Sequence, residues 1–91
     1  MTAIAGSVTR AHVRDVVATL VEEIGKIPRD RIVDGATLDE ALRMESVALV
    51  ELQVAIEDEY DIELDPIRIV ELNEFGAIAD YVLQQIAAKV R

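Results

Sequence analysis

Cysteine is absent from this 91-residue chain. That excludes disulfides, thiolate metal sites and a cysteine nucleophile, and it fits a reducing compartment. Aromatic residues make up only 3% while hydrophobic residues reach 52%, so the core must be aliphatic, built from Val, Ile, Leu and Ala. Bases are scarce, 9 Lys and Arg against 18 Asp and Glu for a net charge of −9. Nucleic acid and anionic membrane surfaces are therefore not expected partners, since phosphate binding requires clustered cations. No apolar run approaches the ~18 residues needed to cross a bilayer. The opening stretch, residues 1–10, lacks the basic-then-apolar order of a secretory signal. The expected location is the cytoplasm.

Catalytic and metal-binding constellations are missing as well. His12 is the sole histidine, without a nucleophile or ligand beside it, and reads as structural or solvent-facing. Asp58, Asp61, Glu63 and Asp65 lack the sixth-position glycine and the closing glutamate of a calcium loop. Neither an enzyme nor a dedicated metal site is expected. The length allows one domain, residues 1–91 with an ordered core over 8–88. A domain this short buries only ~60–65% of the surface its unfolded chain exposes.

What is present is unevenly distributed acid. Asp39, Glu40, Glu45, Glu51, Glu57, Asp58, Glu59, Asp61, Glu63 and Asp65 stand against one base, Arg43. The stretch from 39 to 65 thus carries the whole net charge. Such a field either steers basic partners to one region or serves as a solvated face.

The spacing predicts four helices. Val13, Val16, Val17, Leu20 and Ile24 share one face of a helix from Val8 to about Lys26, with Ser7 as a plausible N-cap and the run from Pro28 to Arg31 ending it. A long connection follows to about Glu45, with a turn at Asp34-Gly35 and a capping box over Thr37–Glu40 for one helical turn. Ile32, Leu38 and Leu42 can pin it to the core. So long a connection in so small a domain suggests a function. A second helix is expected over Ser46–Tyr60. Asp65-Pro66 opens a short third helix through about Glu71, and Asn73 is read as the cap of a fourth bearing Phe75, Ile78, Ala79, Val82 and Ile86. The expected fold is all-α, a small bundle of three main helices plus one short helix, with a long first loop.

The second helix carries two apolar stripes. At 100° per residue, Leu49, Leu52, Ile56 and Tyr60 form one line. Val47, Val50 and Val54 form another, flanked by Glu51 and Asp58. One stripe suffices for a small bundle. The second reads as a surface for a transient partner, or else the helix is central and buried on two sides, a reading its carboxylates oppose. Ser46 sits where the loop becomes this helix, a position that by itself suggests no more than an N-cap.

The run from Leu42 to Leu52 resembles the modification segment of acyl carrier proteins, which reads Leu-Gly-x-Asp-Ser-Leu and then a Val-Glu-Leu helix. The similarity continues in register through Ala55–Leu64, returns at Ala79–Val82, and spans roughly Leu38 to Ile86. It implies an acyl-carrier-like fold and a 4′-phosphopantetheine group, delivered from coenzyme A, esterified to Ser46. The terminal thiol of that arm would carry acyl intermediates as thioesters for polyketide or fatty-acid biosynthesis. The resemblance implies partner contacts at Val47, Val50, Val54 and Glu51. Glu45 stands where the family uses Asp to help bind the metal of the phosphopantetheinyl transferase, and Asp58 edges the same surface. The implied partners are that transferase and an acyl-loading enzyme, ketosynthase or acyltransferase with a basic surface, the carrier itself being a monomer. Val47 replaces the family's Leu, and Arg43-Met44 replaces a pair containing glycine. Alternatives are a peptidyl or aminoacyl carrier of nonribosomal peptide assembly, whose serine usually has less acid around it, and an unmodified interaction module of the same fold.

Overall fold

Thr9 starts the first helix by accepting a hydrogen bond from the His12 amide at 3.1 Å. The computed structural model describes residues 8–89, so the cap expected at Ser7 lies outside the described residues. Helix α1 runs Arg10–Gly25 and ends at Lys26 as expected, where a left-handed backbone (φ 56°) closes the helix on Glu22. A single 3₁₀ turn follows over Arg29–Arg31. Helix α2 occupies Ser46–Tyr60, α3 Pro66–Leu72 and α4 Phe75–Lys89. The described residues contain no strand beyond an isolated bridge between Thr37 and Glu74. The expected all-α bundle of three main helices and one short helix is the fold observed.

Helix α1 packs on both α2 and α4, and α3 packs on α4. The core is aliphatic around one aromatic ring, Phe75, which is fully enclosed. On α4 the expected face is buried in full: Phe75, Ile78, Ala79, Val82 and Ile86. On α1 the buried line is Val13, Val17, Ala18 and Val21, while Val16, Leu20 and Ile24 are half-buried. The inward face is thus turned toward Val21 from the one expected, because α1 must serve two neighbours at once. Asp65 caps α3 through the Ile67 amide at 3.0 Å, with Pro66 at the first position. The Asp65 amide in turn donates to the Tyr81 hydroxyl at 2.9 Å, tying α3 to α4.

The long first loop, residues 26–45, is held rather than free. Ile27, Ile32, Ala36, Leu38, Leu42 and Met44 all point into the core. Thr37 does accept from the Ala41 amide, but a hydrogen-bonded turn forms there in place of the expected helical one. The loop's backbone binds the α3–α4 junction: Leu38 N–H to Asn73 O at 2.7 Å, Phe75 N–H to Ala36 O at 2.9 Å, and Gly76 N–H to Asp34 O at 2.9 Å. Asn73 closes α3 in a left-handed conformation (φ 59°) instead of opening α4, and its side chain donates to Asp39 at 3.0 Å. Outside the core, Arg10 and Arg14 both pair with Asp34, Arg10 pairs also with Asp80, and the Arg14 guanidinium lies 5.0 Å over the Phe75 ring.

Candidate functional site

Ser46 is the first residue of α2 and is exposed. Glu45 occupies the N-cap position, yet its side chain makes no capping bond. The first-turn amides of α2 therefore point outward without a side-chain acceptor from the cap, a setting that favours negative charge beside the serine. The loop fixes where the hydroxyl sits. The Leu38 amide is held by Asn73, the Leu38 carbonyl accepts from the Met44 amide at 2.8 Å, and the Met44 side chain is buried two residues before Ser46. The helix then locks at once, Leu49 N–H to Glu45 O at 2.9 Å. The serine is thus mounted on a rigid corner.

The two stripes of α2 separate as their spacing requires. Leu52 and Ile56 are fully buried, with Leu49 and Tyr60 half-buried beside them. Val47, Val50 and Val54 are 70%, 56% and 48% exposed. Helix α3 exposes two further apolar residues, Ile67 and Val70, of which Val70 lines a cleft against α2. Sequence reasoning missed those two residues, although Pro66-Ile67-Arg68-Ile69-Val70 held the signal. On a helix this short only one line can face inward, and Ile69 takes it. Between α2 and α3 lies a cleft of about 130 Å³ lined by Ser46, Leu49, Val50, Gln53, Pro66, Ile69 and Val70. It is mostly apolar, and the serine is part of its wall.

The carboxylates divide into two groups. Glu57 is half-buried and structural: it accepts from the Leu64 amide at 2.8 Å and from Gln53 Nε2, which also donates to Leu64 O. Asp39 is engaged by Asn73 and by the Glu40 amide, and these bonds hold its carboxyl below the usual range. Asp61 pairs with Lys89 at 3.1 Å, and Asp65 caps α3. Glu45, Glu51 and Asp58 are exposed and enter none of the ion pairs among the described residues. Those are the three acids expected to edge the partner surface.

Among the described residues, neither histidine nor cysteine stands beside Ser46. His12 lies near the far end of α1 from Ile24 and Gly25, which neighbour the start of α2, a separation of roughly 18 Å along the helix axis. The described residues hold no cluster fit to bind a metal ion, and no described helix is long and apolar enough to cross a membrane. A serine hydroxyl is a poor nucleophile unless a base activates it.

Residues 15–82 match the family model described as "Phosphopantetheine attachment site". The matched stretch takes in most of α1, the loop, α2, α3 and half of α4. No curated protein matches the sequence. Among solved structures, the fold is similar to that of the acyl carrier protein from Enterococcus faecalis, with a TM-score of 0.72 and 24% identity, covering 86% of this chain and 99% of that one.

Proposed function

This chain belongs to the phosphopantetheine attachment-site family, and from that premise we propose that it is an acyl carrier with Ser46 as the attachment point. Members of the family are carriers, not catalysts, and the prosthetic group is covalent phosphopantetheine. The observation that carries the assignment to Ser46 is its position: an exposed hydroxyl at the first residue of α2, on the wall of an apolar cleft and beside three outward valines.

The residues present fit the group. The outward amides of α2 suit an anionic ester, and Leu49, Val50, Pro66, Ile69 and Val70 suit an aliphatic arm and cargo. Loading forms a bond from Ser46 Oγ to phosphorus and breaks the pyrophosphate of coenzyme A, releasing adenosine 3′,5′-bisphosphate. The serine proton leaves to a base on the transferase, since this chain offers none. Once bound, the group supplies a thiol that holds an acyl unit as a thioester. At about 130 Å³ the cleft is below the ~300 Å³ at which ligand pockets begin. It admits part of an alkyl chain, and a longer one requires α2 and α3 to part.

Partners dock on Val47, Val50 and Val54 within the rim of Glu45, Glu51 and Asp58. They are the transferase and the loading, condensing or acyl-transferring enzymes of polyketide or fatty-acid assembly, each presenting a basic face. Contacts among exposed charges are screened beyond about 8–10 Å at physiological salt, so docking is weak and reversible, as a shuttle requires. The acid around Ser46 favours acyl over peptidyl cargo. The carrier works as a cytoplasmic monomer. Intact-mass measurement after incubation with coenzyme A and a broad-specificity transferase tests this reading. One phosphopantetheinyl unit is expected on the wild type and none on Ser46→Ala. No addition by several transferases would favour an unmodified module.

A further inference from the structure

We infer that Arg43 binds the phosphodiester through which the arm is joined to Ser46. The inference rests on the carrier reading above and extends it to a residue that reading leaves idle. Esterification places a permanent negative charge at residue 46, directly after Glu45 and five residues before Glu51, in a stretch already at −9. Arg43 is the one base between residues 39 and 65, and so the cation nearest in sequence to that charge.

Arg43 stands three residues before Ser46 and is uncommitted. Its side chain is exposed and lines two shallow depressions, one with Asp39, Glu40, Met44 and Glu45, the other with Glu45, Val47 and Glu51 among its walls. It therefore lies alongside the residue that precedes the serine. Arg10, Arg14, Arg29, Arg68 and Lys89 are each paired with a carboxylate, whereas Arg43, like Lys26 and Arg31, enters none of the ion pairs among the described residues. The backbone gives no reason for an arginine here. Residue 43 has φ 54°, a left-handed conformation that costs an L side chain energy and suits glycine or asparagine. What the residue brings is its guanidinium, whose fork of N–H donors matches phosphate oxygens. Three residues of chain span no more than about 11 Å, within which so long a side chain can turn toward Ser46.

The test compares wild type, Arg43→Lys and Arg43→Asn, each loaded from coenzyme A and checked by intact mass. Asparagine tolerates the left-handed backbone, so the neutral variant should fold. Loading should shift the Arg43 Nε–H resonance of the wild type. The ³¹P resonance of the phosphodiester should differ between wild type and Arg43→Asn, with Arg43→Lys between them, and the difference should shrink toward 1 M salt. Loading should also weaken the folding equilibrium of Arg43→Asn by roughly two- to fivefold more than that of the wild type, the range of an exposed ion pair. If the loaded proteins give the same ³¹P shift and the same change in folding equilibrium, the inference is wrong and the carrier reading stands. If the wild type accepts no arm, both fall together.

Discussion

Replacing Val50 by aspartate separates a docking surface from a core more sharply than any other single change in α2. The Val50 side chain is 56% exposed, so its burial contributes less than half of the ~1.5–3 kcal/mol of a fully buried valine. Helix propensities of valine and aspartate are close. A new carboxylate near the start of α2 gains slightly from the helix dipole and loses slightly to the adjacent Glu51. Stability should therefore fall by about 1 kcal/mol or less. The control is Leu52→Ala two residues on, where a fully enclosed side chain is cut back at a cost of about 2–5 kcal/mol. Function should move the opposite way. In Val50→Asp the apolar centre of the surface is gone, and loss of such an anchor weakens binding by about 1–2 kcal/mol or more, tenfold or so in transfer to a partner enzyme at limiting carrier. Urea denaturation and acyl-transfer kinetics on both loaded variants supply the two axes. Should Val50→Asp lose as much stability as Leu52→Ala, or transfer acyl groups at the wild-type rate, the outward stripe is not a docking face.

Three further outcomes follow from packing and charge. A Cβ added to Gly76 would lie 2.9 Å from Asp34 Cβ and 3.1 Å from Asp34 O, so Gly76→Ala should push the loop off α4 and destabilise by about 1–3 kcal/mol despite alanine's better helix propensity. Urea midpoints will show it, and an unchanged midpoint would mean the contact yields freely. The Asp34 carboxyl is held below its ordinary value, first by the hydrogen bond from Arg14 and then by the charges of Arg14 and Arg10, against a partial opposing effect of desolvation. The unfolded chain therefore binds its proton at higher pH than the folded one, and the stability from this clip is present above pH ~4 and lost as pH falls through the folded value. Stability of Asp34→Asn should accordingly vary less between pH 5 and 3 than that of the wild type, and equal slopes in urea midpoint would contradict the clip. The Tyr60 hydroxyl is buried without a hydrogen-bond partner among the described residues, and burial pushes its ionisation upward. Leaving such a group unmet costs about 1–3 kcal/mol, so Tyr60→Phe should raise the melting temperature; a fall would reveal a partner for the hydroxyl.

How far the molecule could be read beforehand depends on whether each feature is local. The two stripes of α2 were legible because a 100° repeat separates Leu52 and Ile56 from Val47, Val50 and Val54 within one helix, and no other element need be known to tell them apart. On α1 the same method chose Val16 and Leu20 over Val21, because a valine-rich helix between two neighbours offers several apolar lines, and only the positions of α2 and α4 select among them. Asn73 favours both helix starts and left-handed helix ends, and what decides between them is the Leu38 amide, 35 positions away in the chain, taking its carbonyl. The acids show the same division. Composition gives one field of ten carboxylates, but Glu57, Asp39, Asp61 and Asp65 are occupied with amides, Asn73 and Lys89. What is left exposed and outside the ion pairs among the described residues is a smaller set, including Glu45, Glu51 and Asp58. That Ser46 opens α2 was legible from its neighbours in sequence. Its rigidity was not, since the corner that presents it is held from α3 and α4 through Asn73, Leu38 and Met44. A change at the α3–α4 junction should therefore be felt at Ser46 before it is felt along α2, whose own ladder needs none of those bonds.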